Sequence, residues 1–196
     1  MKLIKNYLES NKILNLKGDE QLIALVELVA KIPYGEGRNI KEVLQTKKFG
    51  TCTGKHLVLQ ACLDELSIKY KNVVCTFHWG DQRIIYPKKL LEILNKGEWK
   101  HGHNFMQIEK SNGLKLDADI TWNEYLKPHG FRAFPKNWGG KTSFIGIDKI
   151  IKRWDGADVL KMKKKLIEDL SPELRKRREH FLREFFKWTH ALEINK

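Results

Sequence analysis

The sequence predicts an α+β protein with additional helices at both ends, and three patterns carry that prediction. Apolar residues recur at helical spacing near the start of the 196-residue chain, over 52–67, and again near its end. Between the second and third of these the period changes. Asn72 to Trp79, rich in Val, Phe and Trp, reads as a strand. A Ser111-Asn112-Gly113 turn then joins Phe105–Glu109 to Leu114–Asp117 as a hairpin.

Leu3, Ile4, Tyr7 and Leu8 mark the first helix, and Gly18-Asp19 restarts the pattern with Asp19 as the expected N-cap. Leu22, Ile23, Leu25, Val26 and Val29 face one way until Ile32-Pro33-Tyr34-Gly35 ends the helix. Asn39 to Thr46 is a short helix closed by Lys47-Lys48-Phe49-Gly50. Leu57, Leu59, Ala61, Cys62, Leu63 and Leu66 then define a largely buried helix. Pro87 introduces another short helix over 88–95. Residues 122–142, with Trp122, Pro128, Pro135, Trp138 and three glycines, read as an ordered, irregular loop, and 144–147 as one more strand. Ser171-Pro172 caps the last helix, whose apolar stripe is Leu174, Phe181, Phe185, Trp188 and Leu192. Such a stripe has to be covered. Docking on the chain's own core is expected, and a homodimer seam through this helix is the alternative. The domain reading is therefore 1–148, followed by a C-terminal helical extension, 149–196, docked on it.

Hydrophobic residues at 41% and charged residues at 31% suit a globular chain, and a formal charge of +13 makes it basic. Lys161 to Lys165 and Arg175 to Arg178 concentrate some of that charge, which raises nucleic acid as a partner, although no nucleic-acid-binding motif accompanies it. The opening residues turn polar too soon for a secretory signal, and no run approaches the roughly 18 apolar residues of a membrane span. Three cysteines without paired spacing make no disulfide framework. The expectation is a cytoplasmic protein with reduced thiols, not associated with a membrane.

Cys52 follows Gly50-Thr51, where a loop enters the buried helix. The free N–H groups and the dipole of a helix start favour thiolate over thiol and supply donors for a developing oxyanion. Cys62, mid-helix, and Cys75, in a strand, read as small core residues. His103 opens the first hairpin strand and Asp117 closes the second, and antiparallel pairing can bring those ends together. A carboxylate there would hold the imidazole in one tautomer while its other nitrogen meets the thiol.

The run Gly50-Thr51-Cys52-Thr53-Gly54-Lys55-His56-Leu57 and its continuation to Ile68 resembles the glycine–x–cysteine helix of the transglutaminase-like superfamily of papain-related folds. His103-Asn104-Phe105-Met106-Gln107-Ile108-Glu109 is similar to that family's histidine strand, and Leu114-Lys115-Leu116-Asp117-Ala118 to the strand ending in its aspartate. The likeness spans 40–122. Phe105 and Leu114 stand where family members often carry Trp. The resemblance implies a papain-like core, with a helix-borne Cys packed on an antiparallel sheet. It also implies a Cys52–His103–Asp117 triad acting through a thioester on a peptide or other amide-containing substrate, without a cofactor. Asp119 shares the face of Asp117 and is the alternative third member.

Two other readings compete with catalysis. Cys52 and His56, four apart on a helix, and His101 and His103, alternating on a strand, make an acceptable zinc set without CxxC or HExxH spacing. The family also includes catalytically silent members, so a binding module for nucleic acid or protein is the second. Trp79 and His78, at the end of the strand after the Cys helix, are candidates to line an acyl pocket or donate to an oxyanion. Trp122 and Trp138 are candidates either to wall the cleft or to anchor their loop.

Overall fold

Thr51 starts the helix that organises the molecule. Its hydroxyl accepts a hydrogen bond from Gly54 N at 3.0 Å, which satisfies one of the free donors of a helix start. The computed structural model describes residues 2–194, and this helix is the third in it: α1 spans Lys2–Ser10, α2 Gly18–Ala30 and α3 Cys52–Glu65. Val58, Leu59, Cys62 and Leu63 of α3 are fully buried. They pack with Leu8, Leu25, Val26 and Val29 against Met106, Ile108, Leu116 and Ala118 of the sheet. Gly54 permits a close approach, because a Cβ there would collide with the Gly37 carbonyl. The 33–50 segment closes on itself through Gly50 N donating to Pro33 O at 2.9 Å, and Thr51 N donating to Gly37 O at 2.8 Å ties it to the start of α3.

The sheet is antiparallel, in the order β3-β2-β1-β4, with β1 at Tyr70–Phe77, β2 at His101–Glu109, β3 at Lys115–Ala118 and β4 at Lys152–Asp155. A short helix, α4 (Lys88–Leu94), lies between β1 and β2, and α5 (Val159–Glu168) and α6 (Pro172–Ile194) close the chain. The hairpin forms as expected, with Lys110 N donating to Leu114 O and Gly113 at φ +82°. Asp19 is not the cap of α2. Lys17 holds that position without a side-chain bond, and the Asp19 carboxylate instead meets Lys110 Nζ at 3.1 Å and Ser111 Oγ at 3.0 Å on the hairpin turn. The segment after Phe144 makes one parallel bridge, Ala118 to Phe144, rather than a strand.

The boundary at 148/149 does not hold, because β4 lies beyond it and pairs with β1 as an integral edge of the sheet. The helices after β4 are equally committed. Phe181 and Phe185 are fully buried in a second, aromatic core with Trp79, Trp99 and Trp122. Burying each such ring contributes on the order of 1.5–3 kcal/mol, so the stripe on α6 is covered within its own chain. No described helix is long and apolar enough to cross a membrane.

Candidate active site

Cys52 is the first residue of α3 and is half-buried, whereas Cys62 and Cys75 are fully enclosed. At a helix start its own N–H has no intrahelical acceptor. His103, on β2, is 2% exposed and places Nε2 2.7 Å from Asp119 Oδ2. With Nε2 committed there, Nδ1 is the nitrogen left for the cysteine. The ring lies beside the sulfur and the two groups shift each other's titration, although without the alignment of a full hydrogen bond. Loose contacts of this kind are common before substrate arrives.

The carboxylate on His103 is Asp119, not Asp117, and the register gives the reason. Asp117 pairs with Gln107, four residues or about 13 Å along β2 from His103. Its carboxylate is instead gripped by Arg153 on β4, at 2.6 and 3.0 Å, in a bidentate pair. Asp119 lies past the end of β3, two residues nearer to His103, and is fully buried. Its Oδ2 accepts from His103 and, at 2.9 Å, from Gly146 N. Its Oδ1 accepts from Thr121 Oγ1 at 2.6 Å and Thr121 N at 3.2 Å. Those four donors fix the carboxylate, which in turn fixes the imidazole.

A residue that the sequence analysis did not select completes the group. Lys163 of α5 extends Nζ to Cys52 Sγ at 3.1 Å, Thr53 Oγ1 at 2.7 Å and Asn104 Oδ1 at 2.6 Å. Gly102 admits α5 to this position, since a Cβ there would lie 3.0 Å from Leu166 Cδ1. Burial by itself would push the Cys52 thiol up. The charge of Lys163, and then the contact with His103 and its charge, overcome burial and bring the thiol down to about 5. For His103 burial works downward, but the Asp119 carboxylate and then the cysteine raise it to about 9. Burial likewise opposes the ionised form of Asp119, and His103 with its hydrogen bond holds it well below the usual carboxylate range. The arrangement therefore favours a thiolate beside an imidazolium over a broad neutral range. Cys62, by contrast, is pushed up to about 12 by burial.

The remaining histidines are occupied elsewhere. His56 places Nδ1 2.7 Å from Cys52 O and accepts from Ile120 N at Nε2, and burial lowers it to about 4. His101 accepts from Trp99 Nε1 at 3.3 Å. The zinc set of Cys52, His56, His101 and His103 is not assembled, and among the described residues no group of three or more His, Cys, Asp or Glu side chains is placed to share a metal ion. Trp79 is not at the cysteine. It is 2% exposed inside the aromatic core, in tilted and edge-to-face contact with Phe77, His101, Phe181 and Phe185. His78 faces Asp81 at 3.8 Å. Trp122 and Trp138 anchor their loop, donating to Gly146 O and Thr142 O.

The basic runs also divide. Lys164 and Lys165 face Glu168 and Asp169, and Arg177 faces Glu173, while Lys163 and Arg178 turn toward Cys52 and its cavity. No protein-family model matches this chain, and no curated protein matches it at a significant level.

Proposed function

We propose that this protein is a cysteine-dependent acyltransferase or amidohydrolase, with a papain-like, transglutaminase-type core and Cys52, His103 and Asp119 as its triad. The observation that supports this most is the buried chain from Asp119 through His103 to a thiol that Lys163 helps to ionise. The Cys52 thiolate attacks a carbonyl carbon, a C–S bond forms, and the carbonyl electron pair moves onto oxygen. The Cys52 N–H is the donor left for that oxyanion. Collapse expels the amine or alcohol, which takes the proton held by the His103 imidazolium. Water or an amine then attacks the thioester, His103 takes its proton, and the thiolate leaves. Asp119 stays ionised throughout and holds the ring in place.

Incubation with 4-nitrophenyl acetate tests this reading. A stoichiometric burst of nitrophenol is expected, with the acetyl group on the Cys52 peptide as a hydroxylamine-labile thioester. Cys52→Ala should lose both. Nitrophenol release that is unchanged in Cys52→Ala would reject the assignment.

A further inference from the structure

Cys52 opens into a cavity of about 240 Å³. Its floor is the start of α3 with Gly102 of β2, and its walls are α5 and α6. Among the described residues four cations line it, Arg38, Lys100, Lys163 and Arg178, and no Asp or Glu does.

These cations are not equivalent. Lys163 is spent on Cys52, Thr53 and Asn104. Arg178 is half-buried, yet among the described residues no carboxylate lies within ion-pair distance of its guanidinium. Its neighbours on α6 are partnered: Arg177 with Glu173 and the Gly97 carbonyl, and Arg175 with the Leu170 and Glu168 carbonyls. Arg38 also lacks a carboxylate on its side chain, since Glu42 meets its backbone N–H instead. Burial and then the charge of Arg38 both work against the protonated form of Arg178, so the fold holds two guanidiniums in mutual repulsion beside the nucleophile. An anion bound between them would relieve that repulsion and satisfy forks that nothing among the described residues satisfies.

The same helix continues the site. Leu182 and Phe186 follow Arg178 at intervals of four, so all three share one face of α6, opposite Leu166 of α5. An anion-binding end thus runs into an apolar wall.

We infer that the acyl compound attacked by Cys52 carries an anionic group, a carboxylate or a phosphate, which Arg38 and Arg178 hold, and an apolar portion that lies against Leu166, Leu182 and Phe186. This rests on the reading of Cys52 as a nucleophile. It gives the site a preference among carbonyl compounds that the triad alone does not provide.

Alkylation of Cys52 by iodoacetate and by iodoacetamide measures the preference, because the two reagents differ in charge next to the reacting carbon. The iodoacetate-to-iodoacetamide rate ratio at Cys52 should exceed that of a free thiol. In Arg178→Gln it should fall on the order of tenfold, the loss expected for one charge-assisted contact. A ratio that Arg178→Gln leaves unchanged overturns the proposal. The unmodified protein gives an independent test. Hexanoate should slow iodoacetamide labelling of Cys52 where hexanamide does not, and equal protection by the two, or none from either, overturns the proposal as well. Inorganic phosphate separates the two anions, since protection by phosphate stronger than by hexanoate assigns the phosphate class and the reverse the carboxylate class. Slow labelling of Cys52 by both reagents would instead reject the nucleophile itself.

Discussion

Asp119→Asn should lower the rate of Cys52 acylation on the order of 10³–10⁴-fold, the scale seen when an orienting carboxylate becomes an amide and the imidazole is left in the wrong tautomer. The environment makes this substitution severe. Asp119 accepts from four donors, so an amide nitrogen in its place faces at least one N–H or O–H that it cannot accept. Asp117→Asn should leave acylation at the same order of magnitude and cost only stability, because the Asp117 carboxylate meets Arg153 and Gln107 rather than His103. Burst kinetics with 4-nitrophenyl acetate, alongside melting curves of both variants, check the pair. A collapse of activity in a well-folded Asp117→Asn, with Asp119→Asn active, would reverse the assignment.

Lys163→Met should raise the Cys52 thiol from about 5 toward the ordinary range, since Lys163 is the largest influence opposing burial. Iodoacetamide labelling near pH 6 should then fall on the order of tenfold, while labelling above the ordinary thiol range of about 8.5 converges with that of the unmodified protein. Methionine preserves length and apolar contact without the charge, so the pH profile separates the two roles of the side chain. An equal change in rate at every pH would mean that Lys163 only shapes access to the sulfur.

Cys52 was legible as a candidate because its signal is local. A Gly-Thr-Cys step into an apolar helix places the cysteine at a helix start whatever the rest of the chain does. The hairpin was legible for the same reason, through Ser111-Asn112-Gly113. The third residue was not, because it depends on register. Asp117 and Asp119 lie on one face, and choosing between them requires knowing that Asp117 pairs with Gln107. β4 escaped because Lys152-Arg153-Trp154-Asp155 is short and charged, as edge strands often are, and its evidence is the partner β1 rather than its own composition. Lys163 looked like the solvated face of a lysine-rich helix. Its distinguishing sign was position, since it falls in line with Leu160, Leu166 and Ile167 on the side of α5 that faces the cavity. Trp79 was misplaced because an aromatic at a strand end has no directional signal in sequence, and α6, distant in the chain, supplies the rings that enclose it.

The dependence of Cys52 alkylation on pH, read residue by residue by mass spectrometry, tests the central claim most directly. A lowered thiol loses its proton as pH rises through the folded value, so iodoacetamide reactivity at Cys52 should climb through about pH 5 and be level by neutral pH. Cys62, buried and pushed up to about 12, should stay unlabelled across the same range. A midpoint for Cys52 near the ordinary value of about 8.5, or labelling no faster than that of Cys62, would contradict the account.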